Sequence, residues 1–291
     1  MRKKSGPYWL LIPQIIITIV FLLGLIEGLI QSFGVIPVFG LTKPTLQYYK
    51  EALRSPEMLR SIACSFRVAV ISSAFATLIG VILCAVIVVN RRVSSWYMRV
   101  IQLPIAVPHV VVALFTINIL SQNGLLARIC YAVGIIKEQQ EFPLLLFDSH
   151  GLGIILAYLW KGIPFIVYFV IALMSNINEK LGEASRNLGA SRWTTFYKIT
   201  LPLCKYPILS GFLMLFVFSL GAYELPVILG ATSPRALPVQ AYIEYIHPNL
   251  KNRPFAMAIN GIIIIISCMV ALVYFTLMEK MLEKNRRRWK E

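Results

Sequence analysis

Six long apolar runs dominate this 291-residue chain, and they decide what it can fold into. They are roughly Tyr8–Ile30, Ile62–Val89, Val100–Leu120, Leu152–Met174, Tyr206–Leu229 and Phe255–Met278. A hydrocarbon core about 30 Å thick takes about 20 apolar residues as α-helix, and each run meets that length. Only 14% of the chain is charged and 58% is hydrophobic, against about 25% charged in an ordinary soluble domain. A soluble protein of this size has too little interior for that much apolar surface, so lipid is the expected solvent. The runs specify an all-α integral membrane protein with six transmembrane helices. The third run carries Pro104 and Pro108, so a kink is expected there.

The charges between the runs set the orientation. Seventeen Lys and Arg fall on the side of the chain termini and nine on the other. Basic residues favour the cytoplasmic side, so both termini are expected in the cytoplasm and the protein in the cell (inner) membrane. Spread in this way, the net charge of +15 points to no nucleic-acid partner. Arg2, Lys3 and Lys4 before the first run imitate a signal peptide. The run is too long for one and no small-x-small cleavage site follows closely, so a retained anchor helix is expected. The outer connections Gly34–Ser61 and Ser121–Gly151 read as solvated connectors with short helices, or as a cap for a soluble partner. The basic tail from Lys284 is expected on anionic headgroups.

The chain lacks the usual motifs of catalysis. GxxxxGK[ST], Gly-x-Ser-x-Gly and HExxH are all missing, so nucleotide binding through a phosphate loop and the common hydrolase chemistries are not expected. Five single cysteines and three dispersed histidines make no metal-ligand spacing. No cofactor is expected. Cys64, Cys84 and Cys268 lie in apolar runs and read as small packing residues.

One polar, basic island interrupts the apolar pattern, between Asn178 and Pro202. It reads as two short helices joined at a bend, with Asn178 as first N-cap, Gly189 just past the first helix and Ser191 capping the second. Glu183-Ala184-Ser185, then Gly189, then Ile199-x-Leu201-Pro202 resembles the EAA signature of binding-protein-dependent ABC importer permeases. Ser185 stands where that family has a second Ala. The resemblance implies a type I ABC importer (MetI-like) permease core with one additional N-terminal helix. The domains implied are 1–61 (N-terminus, first helix and outer loop), 62–278 (importer core, EAA loop at 178–202) and 279–291 (basic tail). It implies that this loop docks on a separate ATPase. Glu183 would then pair with a polar or basic group at the dock, and Ala184 and Ser185 would allow close approach. Gly189 would make the bend, while Ile199, Leu201 and Pro202 would fix the loop to the bundle. The partners implied are a cytoplasmic ATP-binding subunit dimer, a second permease subunit, an extracytoplasmic substrate-binding protein and the lipid bilayer.

Ionisable residues inside the apolar runs are the candidates for the translocation pathway, because burying them in lipid is costly. Glu224 lies mid-run with Pro226 beside it, so a broken helix lining a cavity is expected there. Arg67 or Lys161 are its conceivable partners. Tyr223 and His109 are the other pathway candidates. Glu27 and Lys161 sit near run ends and are expected to snorkel to the interface. The stretch Gly221–Gly230, Ser233–Val239 and Ala241-Tyr242 resembles permeases of the spermidine/putrescine type. That resemblance favours a polyamine-type solute, with thiamine, ferric iron or sulfate as alternatives. An ion-coupled secondary transporter shares the hydropathy but needs no docking loop.

Overall fold

The computed structural model describes residues 11–90 and 96–288, with side chains through residue 280. Arg2, Lys3, Lys4, Arg91, Arg92 and the side chains of the tail from Lys284 lie outside the described residues, as does the start of the first run. Twelve helices carry the described chain: α1 Ile12–Ser32, α2 Gln47–Arg54, α3 Pro56–Val89, α4 Trp96–Ala106, α5 His109–Leu120, α6 Leu125–Ala132, α7 Leu152–Asn187, α8 Arg192–Leu203, α9 Lys205–Gly221, α10 Glu224–Leu229, α11 Leu237–Tyr245 and α12 Arg253–Arg288. Among the described residues the only β-pairing is one isolated bridge, Ile36 with Leu41. The fold is all-α. Five stretches are long and apolar enough to cross a bilayer: α1, α3, His109–Ala132, α7 and Leu250–Lys280. A sixth span follows if α8 and α9, bent by 62°, are taken as one.

The breaks differ from those expected, each for a local reason. The third run divides into α4 and α5 at Val107-Pro108. Pro104 is held inside α4, whereas Pro108 stands outside α5 as its N-cap, with ψ 146°. Proline has no N–H to continue a helix and pushes the residue before it out of the α region. The fifth run breaks at Ala222-Tyr223, not at Pro226. Pro226 falls in the first turn of α10, where its missing N–H has no intrahelical partner to lose, so the helix restarts just ahead of it.

The larger correction concerns the polar island. Its first short helix does not exist as a separate element. The fourth run continues unbroken for 36 residues, through Met174 and on to Asn187. Asn178 is therefore no N-cap; it lies buried in mid-helix. Glu179, Lys180, Leu181, Glu183 and Ala184 are good helix formers, so the switch from apolar to polar marks a change of solvent rather than a helix end. The connections Gly34–Ser61 and Ser121–Gly151 contain short helices, α2 and α6.

By internal contacts the chain forms two compact units. One runs through Leu59 and includes Gln240–Ile265; the other is Arg60–Val239 with the rest of the chain. In the first, Tyr49 donates to Ser32 Oγ at 2.8 Å, and its hydroxyl lies against the bare Cα of Gly261. In the second, α7 is the centre. Of its apolar stretch 56% is buried, against 6% for α1. One core cluster packs Ile166, Val170 and Met174 of α7 on Cys84 and Val88 of α3 with Phe196 and Cys204. The other packs Ile154, Ala157 and Tyr158 on Cys64, Val68, Val112 and Leu225. Glycines let the backbones close in. A Cβ at Gly80 would lie 2.7 Å from Ile166 Cγ2, and one at Gly211 2.8 Å from Ile166 Cδ1. Small residues at such contacts are how membrane helices gain van der Waals packing without a hydrophobic driving force. Cys64 and Cys84 are buried packing residues as expected, but Cys268 faces outward.

Candidate functional site

Two places concentrate the candidate residues: the turn that ends α7, and a cavity within the helices of the second unit.

The turn is built by helix-end chemistry. Gly189 has φ +87°, a left-handed value that suits glycine. Its N–H reaches Arg186 O at 2.9 Å, and the Ala190 N–H reaches Ser185 O at 3.1 Å. This paired arrangement closes the last carbonyls of α7. Two residues on, Ser191 Oγ accepts from the Thr194 N–H at 3.1 Å and caps α8. The Gly189 and Ser191 expectations are met.

Beneath the turn, α8 is seated on α7 by small polar groups. Ser185 Oγ and Thr195 Oγ1 are 2.6 Å apart, and Ser185 also donates to Gly182 O. A Cβ at Gly182 would come within 2.9 Å of Asn178 Oδ1 and 3.1 Å of Thr195 Cγ2. Ser185, in place of the expected alanine, thus acts as a latch. Sequence reasoning missed Asn178, Gly182 and Thr195 as parts of it; a glycine inside a helix-forming stretch was the available signal. The outward surface is different. Glu183 is exposed and lies 3.6 Å from Arg186, while Ala184 and Gly189 are also exposed. Around them stand Leu181, Leu188, Trp193 and Tyr197, with Leu188 90% exposed. After the turn, a wide π-helical turn at Phe196–Thr200 precedes Pro202, whose ring removes an N–H from the ladder. Ile199 and Leu201 are half-buried and Leu201 packs on the first core cluster. Pro202 is exposed.

The cavity has a volume of about 340 Å³, and its lining includes Ser72, Ser73, His109, Tyr158, Lys161 and Phe218. His109 opens α5 at the proline break. Its Nδ1 lies 3.4 Å from Glu224 Oε2, and its ring sits 5.3 Å from that of Phe218. Glu224 begins α10 and is not part of the cavity lining; 57% of its side chain is exposed. Tyr223 is half-buried at the break just before it. Of the two expected partners of Glu224, Lys161 feels its charge, whereas Arg67 is engaged elsewhere. Arg67 binds Ser149 O at 2.6 Å and lies 3.3 Å from His150 Nδ1. Lys161 donates from its ammonium to the Val107 carbonyl beside Pro108, and the residue lines the cavity.

Comparison with known proteins places these features. The family described as "Binding-protein-dependent transport system inner membrane component" matches residues 76–284. A probable sulfate transport system permease protein of Zygnema circumcarinatum is 25% identical over 224 residues, covering 77% of this chain and 74% of that one. The sulfate transport system permease protein CysT of Escherichia coli is 23% identical over 244 residues, 84% of each chain. The molybdate/tungstate permease protein WtpB of Methanocaldococcus jannaschii is 27% identical over 216 residues, covering 72% and 79%. Among solved structures, a bacterial ABC transporter involved in import of the acidic polysaccharide alginate aligns over 96% of both chains with a TM-score of 0.75 at 19% identity, a likeness of fold. The match spans most of the chain, from α3 into α12, and takes in the turn and the cavity lining apart from Ser72 and Ser73: this multi-pass membrane protein belongs to the binding-protein-dependent transport system inner membrane component family, as a transport subunit and not a catalytic one.

Proposed function

We propose that the chain is the permease subunit of an ATP-driven importer for a small oxyanion of the sulfate or molybdate type. The observation that carries the ATP-driven reading is the turn at Glu183–Ser191. It holds an exposed acid and an exposed apolar fringe on a backbone fixed by Gly189 and latched by Ser185 and Thr195. A rigid, exposed turn of that kind suits a docking partner that must push on it. The proposed partners are a pair of ATP-binding subunits at this turn, a second permease subunit, and an extracytoplasmic binding protein that delivers the solute. With the termini and turn in the cytoplasm, ATP-driven closure of the docked pair would move the turn and open the pathway outward.

The polyamine-type expectation gives way to its alternative. Relatives named for sulfate and for molybdate or tungstate align with 72% or more of the chain. Glu224, an acid that would suit a cationic solute, lies 3.4 Å from His109 and is not among the residues lining the cavity.

Two measurements test this reading. Purified in mild detergent from its native membrane, the chain should bring down an ATP-binding subunit, and Glu183→Lys should abolish uptake. Lack of that subunit, with Glu183→Lys uptake unchanged, would sink the coupling reading. In cells with all native partners, labelled sulfate or molybdate should accumulate and labelled putrescine should not; the reverse would restore the polyamine reading.

A further inference from the structure

We propose that the permease subunit carries its own anion site in the α3–α7–α9 cavity, with Lys161 and Tyr158 as its binding donors. This rests on the oxyanion reading and adds to it a selectivity step inside the membrane subunit.

Lys161 is the tenth residue of α7, about 14 Å along the helix axis from its start. An ammonium at that depth is costly unless it serves a partner or a ligand. One N–H is used on the Val107 carbonyl, which the break before Pro108 leaves free of its helix. An ammonium has three donors, so two remain for the cavity. One turn earlier, Tyr158 is only 4% exposed, and its hydroxyl is buried without a hydrogen-bond partner among the described residues. A buried hydroxyl left unpaired costs about 1–3 kcal/mol, so the position calls for an acceptor. Both side chains line the same cavity.

The lining itself carries no carboxylate. Glu224 stands beside it, 3.4 Å from His109, and its charge reaches Lys161 and Tyr158, so an anion binds there against that field. His109 opens the 12-residue helix α5, so the positive end of that helix borders the space. The remaining wall is mostly apolar, including Ile105, Phe165 and Phe218, which keeps water from screening the ammonium. A volume of about 340 Å³ takes a small oxyanion with several waters, each about 30 Å³ in the liquid. Two side-chain donors make a weak site, which is what passage requires, since a carried ion must also leave.

The test is direct binding of labelled sulfate and molybdate to the purified permease–ATPase complex in lipid nanodiscs, with no binding protein present. Wild type should bind one of these ions saturably. Lys161→Met should weaken that binding at least about tenfold, and Tyr158→Phe by about fivefold, each beyond a fourfold change being a clear shift in affinity. Lys161→Arg should retain it, because the charge and donors persist. Lys161→Met also loses the bond to the Val107 carbonyl, so Tyr158→Phe, which gives up no hydrogen bond in the structure, separates lost anion binding from lost folding: its unfolding temperature should stay at the wild-type value. No saturable binding to wild type, or equal binding to Lys161→Met, would overturn the site. If wild-type cells take up oxyanions while the purified complex binds none, the site alone falls. If cells take up no oxyanion, the substrate reading falls, and binding to the complex still decides the site.

Discussion

Gly189 and Ser191 hold the turn at the end of α7 through two different chemistries. At φ +87° a side chain crowds the backbone carbonyl, at a cost of about 1–2 kcal/mol for an L-residue. Gly189→Val should therefore destabilise the turn by at least that much, while Gly189→Asn should cost less because Asn tolerates the left-handed region. Thermal unfolding in detergent, with recovery of the ATP-binding subunit on the same purification, would check both. A Gly189→Val protein with wild-type recovery of that subunit would show that turn geometry is not what the partner reads. Ser191→Ala removes the hydroxyl oxygen that accepts from the Thr194 N–H and should cost about 1 kcal/mol. These two residues were legible because caps are local: a glycine or serine at a helix end is nearly sufficient for the geometry it makes. Asn178 was not legible, because the same side chain suits a cap or a buried contact, and only the seating of α8 decides. Lys161 was legible in part: its closeness to Glu224 was anticipated, its bond to the Val107 carbonyl was not. Its distance from the run's end suggested snorkelling, and the free Val107 carbonyl that holds it comes from a proline break 54 positions earlier in the chain.

Among the elements, the existence of nearly every apolar helix was readable, because lipid leaves the backbone few alternatives. What escaped was where helices stop. Pro226 drew attention to the right neighbourhood, but the break lies at Ala222-Tyr223, since a proline is harmless in a first turn. The polar continuation of α7 escaped because hydropathy reports the solvent around a helix and not its hydrogen-bond ladder. The glycine contacts give a test at this scale. Gly80→Leu and Gly211→Leu both drive a side chain into Ile166. Overpacking of that kind costs about 1–3 kcal/mol, so each should lower the unfolding temperature, and adding Ile166→Ala should recover part of the loss in the Gly80 variant. Gly40→Leu, where a Cβ meets nothing within 4 Å but φ is +74°, separates backbone strain from crowding.

For the molecule as a whole, the sequence carried the family and the power source further than the cargo. The EAA-like motif lies within one stretch of chain, whereas the cavity draws on α3, α4, α5, α7 and α9 and has no linear signature. Its polar members are single residues, each unremarkable in its own run. Glu224, a pathway candidate in the sequence, lies in space 3.4 Å from His109.

One consequence of the 36-residue α7 concerns rotation. Lys161 and Glu183 stand on the same continuous screw, 22 residues and about 33 Å apart. Their directions around the axis are keyed to each other by residue count. Inserting a single alanine after Leu173 would turn everything beyond it by about 100° relative to the cavity. Both ends would keep their local chemistry and lose their alignment. Uptake should then collapse although the spans remain long enough to cross the bilayer, and the effect should depend on the remainder of the insertion over a helical turn rather than on its length. Measuring uptake for insertions of one to four alanines would reveal that angular dependence or its absence.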